Sequence, residues 1–411
     1  MSNAPSTTRI LQVDADAFYV QVAQLLDPEG AGRADLVLVG GSPQGRGVVT
    51  SASYGARKYG ARSGMPMARA LELCPDAMIV GVPRGACSEK SKAIIHTLEQ
   101  FTPVVEPASI DEMYLDMTGT EGLYDDEPLV TTARRIRETV LQETEVAVSI
   151  GGGTTRLIAK LAAGRAKPHR TPEADGVLIV APGDESTFLE KFDLAEIPGI
   201  GPRFQERLRV LGLTTVPDAL QYDQPALQEW FGERTGEWLY RRIRGLDRTP
   251  IEPSRRAKSI SRDETFGEDL SEDEDLVREL LRLADRATSD LRRHGWTART
   301  ISVKLRDYDF RTRQKSRTLP EPVVSDGVVA SVAKELLALL RKRRHVPARL
   351  IGVSLSQLNH QDTVDQLSLF EASEPTSIES ERDRALSRAI DSVREKYGRN
   401  AVGRGGEQVE H

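Results

Sequence analysis

"EPASIDEMYLDMTG", residues 106–119, sets Asp111 and Glu112 side by side, with Asp116 close behind and apolar residues on both flanks. Carboxylates rarely occupy such a setting without a partner. Residues 104–118 read as two strands around a turn at "SIDE". Neighbours on a straight strand point to opposite faces, but a tight turn can aim both carboxylates at one point.

Working outward, "RILQVDA" (9–15) reads as a short strand ending at Asp14, with Asp16 just beyond. If this strand runs beside the hairpin, Asp14 joins Asp111 and Glu112. Crowded carboxylates repel one another unless a hard cation is present, and Mg²⁺ accepts carboxylate, phosphate and water oxygens in an octahedron. Two such ions, roughly 3.5–4 Å apart, would activate a hydroxyl and stabilise a leaving phosphate. The same spacing also fits surface acids that never meet. Basic groups favour the first reading. "SYGARK" supplies Tyr54 and Arg57, which share a helix face, and "GRAKP" supplies Lys167 before a helix-ending proline. Together they suit a triphosphate, although each alone also fits a solvated surface group.

Composition sets the limits. With 411 residues, 39% hydrophobic and 29% charged, the chain is an ordinary soluble type with room for about two to four domains. No apolar run approaches the roughly 18 residues of a membrane span, and nothing at the N-terminus suggests export. Two cysteines, Cys74 and Cys87, are too few for a disulfide scaffold or a zinc site, so a cytoplasmic location is expected. The net charge of −6 argues weakly against nucleic acid, but it averages an uneven distribution.

Strands and helices alternate to residue ~175 without a strict βαβ period, so the class is α+β and multidomain. Short helices with Gly and Pro punctuation follow to ~247. "GLDRTPIEPSRRAKS" (245–259) reads as a linker, and residues 258–357 as a second α+β unit with helices at 272–294 and 327–344 and strands at 299–306, 313–319 and 349–357. The tail is polar. It holds "QLSLF" (366–370), then an amphipathic stretch with Leu386, Ile390, Val393 and Tyr397 at helical spacing.

The ordered set "VDADAFYVQV", "SYGARKYG", "SIDEMYLD", "AKP", "IPGIG" and "QLSLF" resembles the Y-family (translesion) DNA polymerases of the DinB or DNA polymerase IV group, over residues ~9 to ~370. The resemblance implies a right hand with an added little-finger domain. Palm falls at 1–17 and 84–174, fingers at 18–83, and thumb with a helix-hairpin-helix at 175–246. A linker at 247–257, a DNA-binding little finger at 258–357 and a tail at 358–411 complete it. It implies metal ligation by Asp14, Asp111, Glu112 and the Ala15 carbonyl, for two Mg²⁺ ions. Ser51, Tyr54, Arg57 and Lys167 become contacts to the dNTP phosphates, and Tyr19 the steric gate against a 2′-hydroxyl; from its sequence alone Tyr19 also fits a buried aromatic on the helix face with Ala23. Two departures stand out: "GTTR" (153–156) replaces a Ser-x-Asn-Lys run, leaving open whether Arg156 substitutes for the lysine, and Ala17 replaces an aromatic found in some relatives.

"IPGIGPRFQERLRVLGL" (197–213) reads as the helix-hairpin-helix, with Gly199 and Gly201 letting the backbone approach a phosphate; a plain helix–helix turn is the alternative. Arg255, Arg256 and Lys258 in the linker, and Lys304 and Arg306 on "RTISVKLRDYDF", are further contacts to the DNA backbone. Arg292, Arg293, Arg299, Arg311, Arg313, Lys315 and Arg317 add to a basic sheet face, so DNA affinity should fall steeply with salt. "QLSLF" resembles the peptide that docks on the β sliding clamp, with Gln366 in a polar pocket and Leu369 and Phe370 in an apolar cleft; packing of the tail is the alternative.

The expectation is a template-directed DNA polymerase, monomeric and without a membrane, acting on primer-template DNA and dNTPs with the clamp as partner. The "VVTSASYGA" stretch suggests a roomy site, and no second carboxylate cluster supports proofreading, so low fidelity is expected. The rival readings are a catalytically silent accessory bridging DNA and the clamp, and a nucleotide cyclase.

Overall fold

Alternation in "ILQVDA" settles the first strand, β1 (Ile10–Ala15), by burying Leu11 and Val13 on one face and Ile10 and Gln12 on the other. The computed structural model describes residues 8–169, 173–254, 256–360, 378–398 and 401–402. The chain divides into two units, residues 1–255 and 256–411.

In the first unit β1 is followed by α1 (Phe18–Leu26), β2 (Val37–Gly40), β3 (Val49–Ala52), α2 (Tyr54–Lys58), α3 (Met67–Leu73) and β4 (Met78–Val80). Then come α4 (Arg84–Glu99), β5 (Val105–Pro107), β6 (Glu112–Asp116), α5 (Leu129–Thr144), β7 (Val148–Gly153), α6 (Arg156–Ala166) and β8 (Val177–Ile179). Five strands form a sheet in the order β5-β6-β1-β7-β8, which makes β1 central. Leu11, Val13, Met113, Leu115 and Ile150 pack on one face against Phe18, Ile94, Leu98, Ile136 and Val140 from α1, α4 and α5. The opposite face receives α6. A small sheet, β3-β2-β4, carries α2 and α3 over Leu38, Ala56 and Met67. Because β8 pairs with β7, residues 177–179 belong to the five-stranded sheet, three residues past the boundary expected at 174.

Five short helices follow: α7 (Glu185–Leu189), α8 (Pro202–Val210), α9 (Val216–Leu220), α10 (Gln224–Phe231) and α11 (Glu233–Arg242). Proline occupies the first turn of α8, α9 and α10, where its missing N–H costs nothing. The segment before "IPGIG" is a 3₁₀ turn, Leu194–Glu196. The stretch after α11 is not a loose linker at its start. The Arg156 guanidinium bonds the Pro250 carbonyl at 3.0 Å, Glu106 accepts the Glu252 N–H at 2.7 Å, and Ile251 packs beside Ile10 and Tyr114.

The second unit runs β9 (Ser259–Leu270), α12 (Asp273–Arg293), β10 (Trp296–Asp307), β11 (Thr312–Val323), α13 (Asp326–Arg343), β12 (Ala348–His360) and α14 (Glu381–Tyr397). The antiparallel sheet has the order β11-β10-β12-β9. Ile301, Val303, Leu305, Ile351, Val353 and Leu355 bury one face against α12 and α13. Strand β9 is absent from the sequence reading because its inward positions include Arg262 and Glu264, which meet Asp290 and Arg282 of α12. Polar contacts hold α14: Arg292 with Asp391 and Asp326, Arg394 with Asp285, and the Ser387 hydroxyl accepting the Asp326 N–H. Its Leu386 and Tyr397 stay exposed, so the amphipathic spacing does not mark a buried seam. Among the described residues no helix is long and apolar enough to cross a membrane.

Candidate active site

The turn at "SIDE" is built by Ser109. Its hydroxyl accepts the N–H groups of Asp111 (3.2 Å) and Glu112 (3.0 Å) and donates to the Asp111 carboxylate. A serine closing a turn on its own backbone in this way fixes where the next two side chains begin. Antiparallel pairing of β1 with β6 sets Asp14 directly opposite Glu112, and the Ala15 N–H bonds the Asp111 carbonyl at 2.9 Å. Residues 14, 111 and 112 therefore meet at one end of the sheet.

The positive partners come from α6. Glycines bring that helix onto the sheet: a Cβ on Gly151 would stand 1.9 Å from the Ala163 nitrogen and 2.2 Å from the Ala159 oxygen. Lys160 on α6 reaches the Glu112 carboxylate at 2.6 Å. Lys167, just past the helix end, reaches Asp14 at 2.6 Å and Asp16 at 3.7 Å. The sequence reading overlooks Lys160; its spacing of seven from Lys167, two helical turns, is the signal that finds it.

Asp16 is the hub behind the acids. It is buried, accepts the Ser149 hydroxyl on both oxygens at 3.0 and 2.9 Å, and accepts the Tyr54 hydroxyl at 3.2 Å. Burial, then the nearby Asp16 charge, pushes the Tyr54 phenol well above its usual range, so it donates and does not ionise. The Tyr54 ring stacks on His169 at 3.7 Å, and the Arg57 guanidinium lies 4.9 Å from the ring centre. Arg57 Nε is tied to the Ala52 carbonyl at 2.9 Å. Ser51 is buried on β3. His169 has no counterpart in the sequence reading.

Tyr19 is half-buried on α1, edge-on to Phe18 with ring centres 5.7 Å apart. Burial, then the Asp111 charge, raises its phenol pKa. Ala17 bridges β1 and α1 in the left-handed region, φ 45°. Gln21 clamps that corner: its amide donates to the carbonyls of Asp16 and Ala147 (2.9 Å), and its oxygen accepts the Ala147 N–H at 2.8 Å.

Among the described residues no three acidic, histidine or cysteine side chains converge as a ready metal site. The lysines and Ser109 account for this, since each draws a carboxylate its own way. The donor chemistry still fits a hard cation. Burial raises the Asp14 carboxyl pKa, and the charges of Glu112 and Asp16 add to that despite Lys167. Excess negative charge in a poorly solvated place is what a divalent ion relieves.

Arg156, at the place of the family's lysine run, is engaged with protein partners. It forms a two-pronged pair with buried Glu106 and lies over the Tyr114 ring at 4.1 Å.

In the hairpin of "IPGIG", Gly199 has φ 101° and sits under Trp238, where a Cβ would be 2.6 Å from the indole; Gly201 caps α8 in open space. Arg256 and Lys258 are exposed, while Arg255 lies outside the described residues. Lys304 and Arg306 lie on the open face of the second sheet. Register and burial correct part of the expected basic face. Arg313 and Arg317 point to the helix side, pairing with Asp307 and Glu335, and Arg292 is buried against Asp326 and Asp391. The open face is mainly serine and threonine. Gln366, Leu369 and Phe370 lie outside the described residues.

Three family models match the chain. The impB/mucB/samB family covers residues 13–164, its C-terminal domain covers 257–369, and the thumb domain of DNA polymerase-iota covers 195–247. A protein named DNA polymerase IV from Desulfatibacillum aliphaticivorans is 35% identical over 395 residues, spanning 96% of this chain and 95% of its own. Among solved structures, a Y-family DNA polymerase chimera of Dbh and Dpo4 superposes with a TM-score of 0.74 at 26% identity, covering 86% of this chain and 99% of its own. An insertion ternary complex of Dbh DNA polymerase gives 0.59 at 25% identity, over 86% and 99%.

Proposed function

Because this chain belongs to the Y-family of DNA polymerases, the translesion group, and is a DNA-directed DNA polymerase, we propose that it extends a primer by a two-metal mechanism with low fidelity and no proofreading. The single observation that carries the proposal is the β1–β6 register, which brings residues 14, 111 and 112 together beside Lys160 and Lys167.

In this reading the primer 3′-hydroxyl attacks the α-phosphate of a dNTP and pyrophosphate leaves. Asp14, Asp111, Glu112 and the Ala15 carbonyl would hold two Mg²⁺ ions, which would lower the pKa of the hydroxyl and offset charge on the departing oxygen. Lys167, released from Asp14, neutralises the departing phosphates with Arg57, and the Tyr54 hydroxyl donates to them. Ser51 completes that cradle. Asp16 positions Tyr54 and is not a ligand. The Tyr19 ring blocks a 2′-hydroxyl, which selects deoxyribonucleotides.

Residues 1–17 and 84–179, with β8 included, serve as palm, 18–83 as fingers, the remainder of 175–246 as thumb and 258–357 as little finger. Gly199, Gly201, Arg255, Arg256, Lys258, Lys304 and Arg306 hold the primer-template backbone. A ternary complex of a relative supports DNA and nucleotide as partners. "QLSLF" docks a sliding clamp, and the polymerase works as a cytoplasmic monomer.

Primer extension with Mg²⁺ and dNTPs, with Asp111→Asn as control, tests the core of this. Extension by the wild type and none by the variant is expected. A wild type that binds primer-template without extending it would favour a silent accessory. Removal of a mismatched primer terminus would contradict the absence of proofreading.

A further inference from the structure

Across the second sheet, the register lines up four rows on the open face. Two of them are entirely hydroxyl: Thr318, Thr300, Ser356 and Ser259 in one, and Ser316, Ser302, Ser354 and Ser261 in the next. The third reads Gln314, Lys304, Gly352 and Asp263, and the fourth Thr312, Arg306, Leu350 and Thr265. Within these four rows Lys304 and Arg306 are the cations, and Asp263 is the anion.

Lys304 and Asp263 are not on adjacent strands. Strand β12 lies between them, so the pair spans two strand spacings of about 4.8 Å each. The ammonium nevertheless contacts the Asp263 carboxylate directly. Gly352 makes this crossing feasible: a Cβ there would stand 1.8 Å from Asp263 Oδ1. The pair lies flat across the sheet over a residue that has no side chain. About a third of each partner remains in water.

We propose that Asp263 is an internal stand-in for a DNA phosphate on Lys304, held across Gly352, and that it keeps the DNA affinity of this face below what its cations would provide. The inference rests on the DNA-polymerase reading of the unit. A phosphate approaching Lys304 meets an ammonium already neutralised by a carboxylate. Contact exchanges one anion for another and leaves Asp263 beside the backbone as a like charge. Lys304 therefore releases little condensed counterion, and the hydroxyl rows release none. The face grips DNA through neutral donors, Arg306 and a Lys304 whose charge is largely offset by Asp263, an arrangement suited to a handle that must let go.

The test is equilibrium binding of a fluorescent primer-template to the full chain between 50 and 200 mM salt. Asp263→Asn, a surface isostere, should tighten binding about threefold to tenfold at 50 mM and steepen the log–log salt slope by about 0.9, one counterion. Adding Asp263→Asn to Lys304→Met should bring no gain over Lys304→Met alone, because the gain depends on the ammonium that Asp263 neutralises. Unchanged or weaker binding by Asp263→Asn, with an unchanged slope, would overturn the inference while the polymerase reading stands. Absence of primer-template binding by the wild type would overturn both.

Discussion

Lys167 and Asp14 meet at 2.6 Å with less than a fifth of either side chain exposed, whereas Lys304 and Asp263 meet over an open sheet with about a third of each in water. The residue types are the same. In the first setting water is scarce, two more acids stand close by, and Asp14 binds its proton more tightly than an ordinary carboxyl despite the lysine. In the second, solvent screens the pair, and exposed pairs of this kind contribute only about 0–1 kcal/mol to stability. Burial thus turns one pair into an unstable store of charge awaiting a cation and leaves the other as a weak adjuster of grip.

The largest expected effect tests that contrast at the buried end. Asp14→Asn should lower the single-turnover rate by about 1,000-fold, the scale of losing a principal transition-state contact, while Asp263→Asn leaves it within about twofold. Comparable losses in both would erase the distinction. The same Asp14→Asn should raise the melting temperature in chelator at neutral pH. The sign follows from a folded-state pKa above 3.8: the ionised form costs stability, fully so above the raised value and not at all below pH 3.8. Melting curves of both proteins across pH should therefore converge on acidification.

A third pair asks whether burial alone gives a pair a chemical role. Arg156 and Glu106 are as deeply buried as any pair near the site, yet they hold residues 250–252 against the sheet. Arg156→Ala should cost about 3 kcal/mol in urea unfolding, because it strands a buried carboxylate. Loss of nucleotide affinity without loss of stability would instead return Arg156 to the phosphate site. Tyr19→Ala should weaken discrimination against ribonucleotides by about 100-fold in single-nucleotide insertion. A variant still as selective as the wild type would leave Tyr19 a packing residue. The smallest effect belongs to the hydroxyl rows. Ser316→Ala should change primer-template affinity less than about threefold and leave the salt slope alone, since a neutral donor releases no counterion.

The sequence carries the first sheet well, because its strands alternate and its acids and glycines sit where regular structure ends. Parts of the candidate site are also legible as residue types: Lys167 reaches Asp14, Glu112 stands opposite Asp14 in register, and Arg57 lies beside Tyr54. What it hides is any element whose inward face is charged. Strand β9 turns Arg262 and Glu264 toward α12, so its apolar signal is thin. Strand parity on β11 sends Arg313 and Arg317 to the helices, which no count of cations reveals. Lys160 and His169 escape notice because their roles depend on how closely α6 lies on Gly151 and on the stack with Tyr54, both facts of three-dimensional contact.

The corner at Ala17 has a wider consequence. A side-chain-bearing residue at φ 45°, with Gln21 bolting the bend to Ala147, fixes the angle between the carboxylate strand and the helix that carries Tyr19. In the proposed reading, the ring that gauges the sugar is therefore held by a braced bend, so strictness toward the sugar does not depend on how the template base is seated.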